Sequence, residues 1–128
     1  MLAAMDPGLD EETWVFCTFE ECVRRDVTPM ALALFREDEG LSAILTRADA
    51  RSLSLPVDQP MRRITLRVHS ALDGVGLTGA VASELAGAGI ACNMVAAYHH
   101  DHAFVPAADA ERALALLLAL QERVRGEA

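Results

Sequence analysis

The sequence predicts an α+β protein, a ferredoxin-like sandwich with an antiparallel sheet and helices on one face. Three observations predict it. An internal likeness relates the two halves of the chain when one is shifted by 60 positions, so that Met30 falls over Ile90, Ser42 over His102 and Ala48 over Ala108. Each half then reads as strand, short polar turn, strand, helix. Between them lies LPVDQP (55–60), whose two prolines around polar residues mark a connector. The expected organisation is a partial N-terminal unit over 1–58 and a more complete C-terminal unit over 59–128, in tandem βαββαβ-type form with strand exchange between them.

The elements follow in order. WVFCTF (14–19) is a strand, and the acidic stretch EECVRRD after it reads as a loop. MALALFR (30–36) and LSAIL (41–45) form a hairpin across EDEG (37–40), followed by a short helix over 47–54. In the second half, the alternation from Met61 predicts a strand over 61–69. A helix over 74–88 places Leu77, Val81, Leu85 and Ala88 on one face. A second hairpin pairs 90–97 with 102–105 across HHDH (99–102). The last helix, 107–121, opens after Pro106, whose fixed φ suits a first turn, with Asp109 and Glu111 beside the positive end of the helix dipole. The first half lacks a counterpart of helix 74–88, and the second half lacks a closing strand because QERVRGEA is too short and too charged. WVFCTF is expected to supply that strand.

Composition narrows the function. Hydrophobic residues make up 52% and charged residues 23%, which fits a globular core rather than disorder. Aromatics are only 5%, so the core must be aliphatic. A net charge of −8, with basic residues scattered singly or in pairs, opposes binding to nucleic acid or an anionic membrane. MLAAMDPGLDEE has no basic start and no long apolar stretch, so no signal peptide is expected, and no run gives the roughly 20 apolar residues of a membrane span. Three cysteines (Cys17, Cys22, Cys92) do not make a disulfide framework and fit a reducing cytoplasm. The Cys17/Cys22 pair has no matching second pair for a metal.

HSALDGVG (69–76) carries the strongest functional signal. A strand ends there and a helix begins, and a helix N-terminus presents unpaired N–H groups and partial positive charge. Glycines there admit a carboxylate or phosphate close to the backbone, although glycine in such a junction also serves turn geometry alone. Asp73 can cap the helix or hold a ligand ammonium. The order strand, Asp73-Gly74-Val75-Gly76, helix, Gly89-Ile90, hairpin resembles an ACT domain. The longer string VHSALDGVGLTGAVASELAGAGIACNMVAAYHHDHAFVP, with FREDEGLSAIL in the first half, is similar to the short tandem-ACT proteins of bacteria. The resemblance covers roughly residues 12 to 120. It implies a regulatory, non-catalytic module that binds an amino acid or similar small ligand where two ACT units meet. It maps the family's ligand loop onto Leu72, Asp73, Gly74, Val75, Gly76 and Leu77, with Ser70 just before it. His102 is a further candidate for a polar group in the pocket.

HHDH also invites a metal reading. Residues two apart on a strand share a face, so His100 and His102 can approach one ion. Zinc wants three or four ligands, and Asp101 would point away. Hydrogen bonds within the turn or across an interface are the simpler expectation. A Ser70/His/Asp catalytic set lacks a nucleophile-elbow pattern. The function expected is therefore amino-acid sensing at the strand-to-helix loop by a non-enzymatic cytoplasmic protein. It has no cofactor or resident metal and no nucleic-acid or membrane partner, and its partners are a small molecule and a second copy or another protein. The alternatives are a structural or oligomerisation module, which the leucines around helix 107–121 favour, and a metal protein or small enzyme using HHDH.

Overall fold

The computed structural model describes residues 2–19, 27–68 and 76–127. Its strands are β1 (Pro7–Leu9), β2 (Trp14–Phe19), β3 (Ala33–Glu37), β4 (Gly40–Thr46), β5 (Met61–Leu66), β6 (Asn93–Ala96) and β7 (Asp101–Pro106). Its α-helices are α1 (Arg47–Ser52), α2 (Leu77–Gly87) and α3 (Ala110–Glu127). The chain divides into two compact units, one of residues 12–61 and one of residues 1–11 together with 62–128. The internal likeness is structural. β3 and β6 begin at Ala33 and Asn93, and β4 and β7 end at Thr46 and Pro106, in both cases 60 positions apart.

In the unit of 12–61, β4 lies between β2 and β3, antiparallel to both. The row Val15, Cys17 of β2 and Ala43, Leu45 of β4 packs with Val27 and Ala50 into a small core. Thr46 caps α1, its side-chain oxygen accepting from the Asp49 N–H at 3.1 Å. β3 begins later than its apolar run, because the N–H groups of Met30 and Ala31 donate back to the Val27 carbonyl at 3.1 and 2.9 Å. The question of a helix before β3 falls on 20–26, which lie outside the described residues.

In the other unit, β5 lies between β1 and β7, and β6 pairs with β7. Ile64 and Leu66 of β5 and Ala103 and Val105 of β7 form one sheet face, covered by Val81 and Leu85 of α2 and by Ala113 and Leu117 of α3. Each of these aliphatic side chains is fully withdrawn from water, worth roughly 1.5–3 kcal/mol for a Val- or Leu-sized group. Gly89, just past the Ala88 C-cap of α2, has a left-handed φ of 76° that turns the chain away, with the Ile90 N–H returning to the Leu85 carbonyl at 2.9 Å. Ile90 is thereby held in the core, so β6 starts at Asn93 rather than at 90.

The expected strand exchange is present, but through a different segment. Among the described residues, WVFCTF pairs along its whole length with β4 and otherwise at Trp14 with Met61. The strand that closes the C-terminal unit is β1, with Pro7, Gly8 and Leu9 opposite Leu66, Thr65 and Ile64. Met5, just before it, has no exposed surface and belongs to the same core. The Asp6 N–H donates to the Gln121 side-chain oxygen at 2.7 Å, and Arg125 donates to the Ala3 carbonyl at 2.8 Å. QERVRGE is the continuation of α3, not a failed strand: Gln121 extends the buried stripe of Ala110, Ala113 and Leu117.

Candidate ligand site

The loop singled out in the sequence joins β5 to α2. Ser70, Leu72, Asp73, Gly74 and Val75 lie outside the described residues; Gly76, Leu77 and His102 lie within them. Gly76 is the N-cap of α2 at φ 101°, in the left-handed region that favours glycine. A Cβ built there would meet nothing within 4 Å. Backbone conformation, rather than close packing, therefore explains this glycine. Its carbonyl accepts the first helical hydrogen bond, from the Ala80 N–H at 2.9 Å. It has no side chain to cap the N–H groups that follow, and the first turn of α2 contains no acidic residue. The result is a helix N-terminus with its positive partial charge uncompensated by the helix's own residues.

Leu77 is 4% exposed and packs in the core, so only its backbone is available at the loop. His102 sits on β7 in the row that alternates with core residues Ala103 and Val105. Its Nδ1 lies 3.0 Å from the Thr65 hydroxyl, and Thr65 alternates with Ile64 and Leu66 on β5. His102 therefore occupies the sheet face away from α2, and its side chain is not brought together with that of Leu77. Burial, followed by the nearby Arg63 guanidinium and His100, pushes the His102 pKa below the usual imidazole value. Arg63 in turn is paired through Nε with Asp10 at 2.6 Å. Arg63, Thr65 and Asp10 were not among the sequence candidates. The alternation of polar Arg63 and Thr65 with Ile64 and Leu66 is the signal that marks their common face.

HHDH does not form one turn. The second hairpin turns at Ala97-Tyr98-His99-His100, closed by the Ala97 N–H on the His100 carbonyl at 3.0 Å, while Asp101 and His102 belong to β7. His99 packs edge-on against Tyr98. Among the described residues, no group of three or more His, Cys, Asp or Glu is arranged to hold a metal ion. Burial raises the thiol pKa of both Cys17 and Cys92, which makes them weak nucleophiles at neutral pH. No helix is long and apolar enough to cross a membrane, among the described residues.

Comparison with known proteins agrees with this architecture. Two ACT-domain family models match in tandem, over residues 1–62 and 60–119. A search of curated proteins finds no match. Among solved structures, a Vibrio cholerae protein of unknown function, described as a possible transport protein, is 40% identical with a TM-score of 0.82, over 91% of this chain and 90% of that one. A protein from Agrobacterium tumefaciens is 20% identical with a TM-score of 0.72, over 90% and 87% of the two chains. The regulatory subunit of aspartate kinase from Thermus thermophilus, in its ligand-free form, is 11% identical with a TM-score of 0.70, over 91% and 97%. The last two share the fold. With two family matches in tandem and the βαββα order on which the loop, the hairpins and the helices are hung, this chain belongs to the ACT-domain family.

Proposed function

We propose that this protein is a non-catalytic regulatory module that binds a small ligand, an amino acid, at the loop between β5 and α2. ACT domains generally serve regulatory ligand binding, and one structural neighbour is the regulatory subunit of aspartate kinase. The observation that carries the reading is the α2 N-terminus. A left-handed glycine cap leaves its first N–H groups without a side-chain partner from the cap, where a carboxylate gains both hydrogen bonds and dipole stabilisation. Asp73 supplies a charge for the ligand ammonium, and Ser70, Leu72, Gly74 and Val75 complete the loop in sequence. Leu77 contributes through its backbone. His102, on the sheet face away from α2 with its Nδ1 3.0 Å from the Thr65 hydroxyl, is not needed for this reading.

Isothermal titration against the twenty amino acids tests this. One or a few are expected to bind, with affinity falling at least about tenfold in Gly76→Val, the equivalent of 1.4 kcal/mol. Because a β-branched residue at this φ also strains the fold, a thermal melt must show the variant still folded. Gly87→Ala, within α2, serves as the control that leaves binding unchanged. No binding at millimolar concentration overturns the reading.

A further inference from the structure

We propose that the sheet face away from α2 carries a second ligand site, separate from the β5–α2 loop. It is a seat for a tetrahedral oxyanion, inorganic phosphate or the phosphate group of a small molecule, centred on Thr65 between Arg67 and His102. The sequence singles this strand out. The chain has 11 basic residues against 19 acidic ones, yet MRRITLRV (61–68) holds three arginines and no Asp or Glu. Ile64 and Leu66 of β5 face the core. Arg63, Thr65 and, one step beyond the strand, Arg67 therefore alternate onto the other face. Every residue of the proposed site belongs to the unit of residues 1–11 and 62–128.

Gly8 of β1 lies opposite Thr65, and Leu9 beside it packs on the core, so a side chain at position 8 would stand on the same outer face. The Arg67 guanidinium occupies that place: a Cβ on Gly8 would collide with it. Gly8 is not among the left-handed glycines, so close approach of Arg67 is what this glycine provides. On the other side of Thr65 stands His102, its Nδ1 3.0 Å from the hydroxyl. A guanidinium fork, a hydroxyl and an imidazole are thus set over three neighbouring strands. The fork alone satisfies a planar carboxylate, whereas donors from three directions suit a tetrahedral anion. Charge decides when the seat is open. An Arg67 nitrogen is 3.6 Å from Asp6, both side chains being more exposed than buried, so this loose pair yields readily to an incoming anion. Around His102 stand Arg63 of β5, held by Asp10 at 2.6 Å, then His100, and Asp101, which alternates to the other face. With His102 neutral, Asp6 and Asp10 match the two arginines. A proton on His102 adds positive charge and makes both ring nitrogens donors. Nδ1 then donates to the Thr65 oxygen, and the Thr65 proton turns to the ligand. Burial, Arg63 and His100 oppose that proton, and a bound anion offsets the two cations. Anion and proton therefore strengthen each other's binding by the same factor.

Titration of the full chain with sulfate, followed at the His102 Cε1–H resonance, tests the site, with chloride at matched ionic strength as the reference. Sulfate keeps its charge across this pH range, whereas a phosphate ester titrates near pH 6. Sulfate is expected to raise the pH midpoint of His102 and to bind at least about fivefold more tightly at about pH 5.5 than at about pH 8. Arg67→Gln, which removes the guanidinium charge, and Gly8→Ala, which displaces it, are each expected to weaken sulfate binding at least about fivefold, with an unchanged thermal melt. Gly76→Val is expected to leave sulfate binding intact, so failure of the amino-acid site and failure of this one are told apart. Inorganic phosphate and glycerol 3-phosphate, compared at the same pH, then distinguish a free ion from an ester as the occupant. A His102 resonance that sulfate moves no more than chloride does overturns the proposal. So does equal affinity at the two pH values, or sulfate binding that survives both Arg67→Gln and Gly8→Ala.

Discussion

The two units share a strand–turn–strand–helix plan and finish it differently. The C-terminal unit takes residues 2–9 from the far end of the chain and, among the described residues, gathers twelve buried side chains into one cluster. The unit of 12–61 gathers six among the described residues, and its α1 has six residues where α3 has eighteen. It also leaves β3 solvent-exposed on both faces, whereas the residues of β6 at the equivalent place include half-buried Met94, which packs on the larger core. The larger core is thus assembled by borrowing a strand, and the smaller one relies on local devices such as a cap.

Met5 gives the sharpest way to break this comparison. Met5→Ala removes a fully buried side chain from the borrowed segment and is expected to cost about 2–5 kcal/mol in urea denaturation. A loss below about 1 kcal/mol, the scale of an ordinary surface change, would mean that β1 is an ornament on a core that closes without it. A smaller effect is expected in the other unit. Thr46→Ala removes the only side-chain acceptor shown at the α1 N-terminus and should cost about 1 kcal/mol, with faster hydrogen exchange at the Asp49 amide. Unchanged exchange at Asp49 would show that packing of Ala50, not the cap, holds this helix.

The smallest effect is the pH response of the C-terminal unit. The His102 pKa is lowered in the folded chain, so between that value and the ordinary imidazole value of about 6.5 the unfolded chain binds a proton that the folded one refuses. Stability therefore falls as pH drops through about 6.5 and levels off below the folded pKa. His102→Asn is expected to flatten this part of the curve in urea midpoints measured from about pH 8 to 5. An identical slope in the variant would assign the response to other groups.

Much of the fold was legible because its signals are local and periodic. WVFCTF reads as a strand with its exact bounds, and the i, i+4 spacing of Leu77, Val81 and Leu85 names the buried face of α2. The shift relating Ala33 to Asn93 aligns the hairpins of both units. β1 was not legible. Pro7-Gly8-Leu9 is three residues long, contains two poor strand formers and shows no alternation; only its partners in β5 make it a strand. The C-terminal extent of α3 was missed for a related reason: Gln121 looks like the polar end of a helix until the Asp6 N–H is seen to need its oxygen. At the candidate site, Gly76 was legible as a special backbone position, but the four-residue turn is expected at 99–102 and lies two residues earlier, at 97–100, so the contact of His102 with Thr65 across the strands was not legible.

The union of Met5 with Ile64 and of Asp6 with Gln121 also orders events during synthesis. Residues 2–9 leave the ribosome long before the β5 and α3 residues that receive them exist, whereas everything the unit of 12–61 needs is made in one continuous stretch. That unit can fold while translation proceeds, as an N-terminal domain ordinarily does. Met5 can be buried only after β5 and α3 have been made, so its burial reports that both are in place.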